Sequence, residues 1–176
     1  MVNEVLYLTR KALMDVATGV NANLTALEVL DGHKRPADVK AIYIPSDHAA
    51  AFVTDLPQQL PAIIVTVREQ IDITGYVLLG GARDITVPVE VAYLSSNTGD
   101  KSAAFRQSEY AARAIMRSLQ SFAGTNVAEA KRVNGITIRG FGEVTRDGFE
   151  DPATKSHVIA FSVPMQVRDN APVAAP

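Results

Sequence analysis

Residues 85–94 alternate without interruption, with Ile85, Val87, Val89, Val91 and Tyr93 on one side and Thr86, Pro88, Glu90 and Ala92 on the other. A side-chain period of two belongs to a strand; a helix would scatter these residues around its axis. One face must be buried and the other left wet or covered by a partner. Residues 158–168 repeat the pattern, setting Ile159, Phe161, Val163, Met165 and Val167 against Ala160, Ser162, Gln166 and Arg168. Two further stretches read as strands. One is 62–68, approached through Pro61; the other is 135–145, where Ile136, Ile138 and Val144 share a face that Gly140 and Gly142 thin.

Helical periodicity appears twice. Over 102–122 the stripe is Phe105, Ala112, Ile115, Met116, Leu119 and Phe122, with Asp100 or Ser102 available as N-cap and Gly124 as terminator. At about 30 Å this helix crosses a sheet of several strands. Glu109 and Arg113, four apart, are expected on its solvent face with Arg106 and Arg117. A first helix is predicted over 4–20 from Val5, Leu6, Ala12, Leu13, Val16 and Val20; Gly19, Asn21 and Asn23 mark its end, although Leu24 and Leu27 continue the period.

The segment 31–57 reads as a long irregular insertion loop with a short Ala-rich helical piece over 47–54, and loops of that length tend to be functional or to form interfaces. Residues 75–83, with Gly80-Gly81, read as a turn, and 170–176 as a flexible Ala/Pro tail. The order helix, loop, strand, strand, helix, strand, strand predicts an α+β fold, a mainly antiparallel four-stranded sheet with helices packed on one face. At 176 residues, with 47% hydrophobic and 20% charged, the chain suits a single domain over 1–169.

Thr86-Val87-Pro88-Val89-Glu90-Val91 echoes Ser162-Val163-Pro164-Met165-Gln166-Val167. Proline cannot donate to a ladder, so the two strands carrying it are expected at the two edges of the sheet, or else the echo is a coincidence of a Val-rich chain.

The chemistry is sparse. With no cysteine, disulfides, thiolate nucleophiles and cysteine zinc sites are excluded. His33, His48 and His157 are scattered, and no Gly-x-Ser-x-Gly elbow accompanies them. Asp31, His33, Asp38, Asp47 and His48 fall in one segment without metal-ligand spacing, while Glu143, Asp147, Glu150 and Asp151 read as turn acids. Gly80-Gly81 and Gly140-x-Gly142 do not sit between a strand and a helix as a phosphate cradle would. No catalytic residue, cofactor or metal is therefore expected. A net charge of −2 with no basic stripe speaks against a dedicated nucleic-acid reader, though not against a surface that DNA slides past. The first residues show no signal-peptide pattern and no stretch is apolar enough to span a bilayer, so a chain without membrane partners, acting in or assembled in a cytoplasm, is expected.

Two stretches carry a resemblance. The passage Asp84-Ile85-Thr86-Val87-Pro88-Val89-Glu90-Val91-Ala92-Tyr93-Leu94, followed by Glu109-Tyr110-Ala111-Ala112-Arg113-Ala114-Ile115-Met116-Arg117-Ser118-Leu119, is one; the ending Phe161-Ser162-Val163-Pro164-Met165-Gln166-Val167 is the other. With the first helix and Leu60-Pro61-Ala62-Ile63-Ile64-Val65, the chain resembles the tail terminator (tail completion) proteins of tailed bacteriophages in layout and texture rather than in a diagnostic motif. The resemblance implies a virion structural protein, assembled in the host cytoplasm into a hexameric ring. That ring would cap the tail tube protein, dock the head-closure or neck protein and pass DNA unread through its lumen. Subunit contacts are then expected at the sheet edges and at the 146–152 turn, with Pro88, Glu90, Arg146, Asp147, Glu150, Pro164 and Gln166 as interface residues. Two alternatives stand beside it: another head–tail connector or tube protein, and a small ligand-binding or enzymatic α+β domain with 31–57 as its lid.

Overall fold

The computed structural model describes residues 2–45, 59–67, 83–96, 101–124, 132–133, 136–151 and 156–169. The predicted first helix is in fact two. Helix α1 (Val2–Met14) buries Val5, Leu6, Leu8, Thr9, Ala12 and Leu13. Asp15 then stops it, because Oδ1 accepts hydrogen bonds from the Thr18 N–H at 2.8 Å, the Ala17 N–H at 2.9 Å and the Thr18 hydroxyl at 3.0 Å. Such local side-chain bonding competes with the helical ladder. The Gly19 N–H returns to the Asp15 carbonyl at 2.9 Å. A Cβ on Gly19 would lie 2.2 Å from that oxygen, so the close approach needs glycine. Val16, expected on the buried stripe, is 96% exposed. Helix α2 (Val20–Asp31) buries Val20, Leu24 and Leu27 and ends at Gly32, whose φ of 69° favours glycine while its N–H caps the Glu28 carbonyl.

Among the described residues the sheet has seven strands rather than four. The 31–57 segment, expected to be irregular, contributes β1 (Ala41–Tyr43), which pairs in parallel with β2 (Ala62–Val67). The rest are antiparallel: β3 (Arg83–Ser96), then after helix α3 (Lys101–Gly124) the short β4 (Arg132–Val133), β5 (Ile136–Phe141), β6 (Thr145–Asp151) and β7 (Ser156–Asp169). The order is β1-β2-β3-β7-β5-β4, with β6 also on β7, so the sheet is mainly antiparallel but mixed, and not four-stranded. The extra strands came from short segments with little alternation of their own. The helical piece expected over 47–54, the turn at 75–82 and the tail at 170–176 lie outside the described residues.

Strands β3 and β7 pair along their whole length, from Arg83↔Asp169 to Ser96↔Ser156. At 14 residues each they are about 45 Å long. The two proline strands are therefore central neighbours, with Pro88 directly opposite Pro164, and the expectation that they form the edges fails. The reason lies in which way each proline looks. Neither can donate across the pair, so Pro88↔Pro164 is a non-hydrogen-bonded pair whose backbone groups point outward to the next strands. Pro164 looks toward β5 and β6 where that ladder is interrupted, and its carbonyl accepts the Gly142 N–H at 2.8 Å. Pro88 looks toward β2, and the described pairing of β2 with β3 runs to Val67↔Val89, one step short of it.

Strands β5 and β6 lie end to end along the same side of β7. The register slips by one residue at Arg139, between Ile138↔Val167 and Gly140↔Gln166. It slips again at 142–144, which face only Val163 and Pro164 between Phe141↔Met165 and Thr145↔Ser162. Two bulges thus interrupt one long edge.

Ile85, Val87, Val89, Val91 and Tyr93 pair with Val167, Met165, Val163, Phe161 and Ile159, and all ten are buried under the helices. Helix α3 meets them with small residues, Ser108, Ala111, Ala112 and Ala114, around Ile115 and Leu119. Phe105, expected in that stripe, is 60% exposed, and the Phe122 side chain lies outside the described residues. The helices share one face, as expected. On the other, Tyr43, Ala62, Leu94 and Val158 form a second apolar cluster.

Replacing Gly19 with Ala is expected to cost about 1–3 kcal/mol through overpacking, read as a lower urea midpoint. The Asp15 carboxyl is held below its ordinary range, first by the Thr18 N–H, then by the Ala17 N–H and the Thr18 hydroxyl. Its stabilisation is present above the unfolded carboxyl pKa of about 3.9 and is lost as pH falls through the depressed folded value. An Asp15→Ala chain should therefore lose less stability than the parent between neutral and acid pH in parallel urea titrations.

Candidate functional site

Cross-strand register gathers most of the sequence-derived interface residues on the sheet face away from the helices. Pro88, Glu90, Pro164 and Gln166 lie there on β3 and β7, with Glu90 opposite Ser162 and Gln166 opposite Thr86. The first three are half-buried and Gln166 is exposed. A Cβ on Gly142 would rest 3.4 Å from the Pro164 ring, so the β5–β6 junction lies over that proline. Asp147, opposite Ala160, joins them on the same face and is exposed.

The remaining two do not join them as expected. Arg146, Asp147 and Glu150 belong to strand β6 and not to a turn; the connection to β7 falls at 152–155, outside the described residues. Arg146 pairs with Phe161, which turns it to the helical face. There its guanidinium makes a bidentate ion pair with Glu109 of α3, one bond at 3.0 Å from Nη1 to Oε2 and the other from Nη2 to Oε1. Glu150 stands opposite His157 in the ladder, and its side chain lies outside the described residues. Glu109 and Arg113, expected to pair along the helix, are used across the fold: Arg113 bonds Asp31 of α2 at 2.6 Å. Helix α3 is thereby tied to α2 on one flank and to β6 on the other.

Three surface features escaped the sequence reading. Tyr7, Met14 and Val16 are exposed around a groove of about 310 Å³ that Arg10, Lys11 and Asp15 also line. Val29 and Leu30 are exposed at the far end of α2. That helix has 12 residues and a length of about 18 Å. Tyr7 and Met14, seven apart and off the buried stripe, were the available signal.

The third is a cleft of about 480 Å³ on the α2 flank of α3, lined by His33, Lys34, Ala103, Arg106, Gln107 and Tyr110. Tyr110 is 9% exposed, and its hydroxyl is buried beside the Asp31 carboxylate. Burial, and then the charge of Asp31 nearby, pushes that hydroxyl's pKa up. Asp31 itself is engaged by Arg113. His33 is the sequence-flagged histidine that the structure places in a cleft; the side chains of His48 and His157 lie outside the described residues.

Among the described residues no group of three His, Asp or Glu is placed to hold a metal ion, and no helix is long and apolar enough to cross a membrane. No protein-family model matches the chain, and no curated protein is similar to it.

The Glu109 carboxyl is held below its ordinary range chiefly by its hydrogen bonds from Arg146, outweighing the opposing effect of burial. Arg146→Ala should raise the Glu109 titration midpoint in a carboxyl-detected NMR pH series. Because both side chains are more than a third exposed, the loss of stability should stay within about 1 kcal/mol.

Proposed function

We propose that this chain is a ring-forming structural subunit of the tail terminator type. It caps a tail tube, meets a head-closure or neck protein and lets DNA pass through its lumen without performing chemistry. The observation that carries this reading is that the two flanks of α3 are unlike: exposed apolar Val29 and Leu30 lie on the α2 side, and strand β6, which among the described residues no strand pairs on its outer side, lies on the other. A ring closed by heterologous contacts needs two different surfaces on each subunit, whereas a two-fold dimer needs one that matches itself.

The sheet face away from the helices supports the same reading as a lumen wall. It presents Thr86, Glu90, Ser162, Gln166 and Asp147 around the Pro88–Pro164 pair, with Arg168 toward one end. Hydroxyls, an amide and proline rings give a passing duplex little to hold, since phosphate contacts to cations are what bind DNA tightly. The copy number of six rests on the family resemblance alone.

Light scattering on a size-exclusion column, followed by negative-stain imaging of the peak, tests this directly. The expected result is a ring of one defined mass. A chain that stays monomeric at high concentration and beside tail tubes, or that forms only a two-fold dimer, would overturn it.

A further inference from the structure

Resting on the ring reading, we infer that the subunit contact runs from the α2 flank of α3 in one copy to the β6 edge of the next. Acidic side chains of that edge sit against the His33–Lys34–Arg106 cleft.

The two flanks differ in charge. The cleft presents Lys34 and Arg106, both exposed, and neither forms an ion pair among the described residues. His33 and Gln107 add polar groups. Val29 and Leu30, on the same flank, supply apolar surface that charge alone would lack.

Across α3, strand β6 pairs with β7 on one side; among the described residues no strand pairs with its other side. Asp147 on this strand and Glu143 in the junction leading into it are exposed, and neither forms an ion pair among the described residues. Unpaired edges left on a soluble chain invite pairing with a neighbour. Arg146, the basic residue between these acids, is turned inward onto Glu109, which leaves the outward charge negative. Because the flanks lie on opposite sides of α3, one copy's acidic edge meets the next copy's cationic cleft in the same sense each time. That is the head-to-tail arrangement of a ring. A second copy is thus favoured over an unrelated acidic partner, since the complementary surface is on the chain itself.

The test uses two charge-reversed full-length chains. One carries Lys34→Glu with Arg106→Glu, the other Glu143→Lys with Asp147→Lys. All four residues are exposed, so circular dichroism should match the parent for both. Each variant alone should lose the ring peak in light scattering, because cleft and edge then carry like charge. Mixed in equal amounts, the two should regain it, alternating around a ring of even copy number. Variants that assemble like the parent, or folded monomers that the mixture does not rescue, would overturn this contact while leaving the ring itself standing. A parent chain that never assembles would overturn both.

Discussion

The β3–β7 ladder is the constraint on which the rest depends. Five consecutive core-facing pairs, from Ile85–Val167 to Tyr93–Ile159, are buried together, and β7 also carries β5 and β6 on its other side. Burying one such side chain contributes about 1.5–3 kcal/mol, against a net stability for a domain of about 5–15 kcal/mol. Two or three of these pairs therefore decide whether the sheet exists. The helices are fitted to it: α3 presents alanines and serines because the sheet beneath already supplies the bulk.

That ladder was legible because period-two alternation is a direct imprint of one buried face. Both strands follow from it, as the long helix follows from its own stripe of Ala112, Ile115 and Leu119. What was not legible depends on contacts remote in sequence. A proline looks like an edge marker until its orientation is known, and only the break at 142–144 explains how Pro164 sits in a central strand. β1 is three residues long and exists because β2 is beside it. The division of the first helix turned on Asp15, whose side chain bonds its own backbone, while the apolar period ran on regardless through Leu24 and Leu27.

The candidate surfaces show the same division. Pro88, Glu90, Pro164 and Gln166 share an echo in the sequence, and register alone brings them to one face. Arg146 was placed on a turn because Asp147-Gly148 resembles one, yet it reaches under α3 to Glu109, 37 residues away. No local pattern encodes such a pair. The Tyr110 cleft was equally hidden, since its wall is built from the chain after α2 and the first turns of α3.

The two bulges in the β5–β6 edge bear on how this chain tolerates changes of length. Each is a spare residue that β7 does not count, at Arg139 and within 142–144. Deleting one would regularise the ladder and leave Asp147 outside and Arg146 beneath α3, because their partners Ala160 and Phe161 fix which way they point. The same deletion inside β3 or β7 would turn every later buried aliphatic toward water. Among descendants of this sequence, gain and loss of single residues should therefore accumulate along one edge of the sheet and be purged from its two central strands.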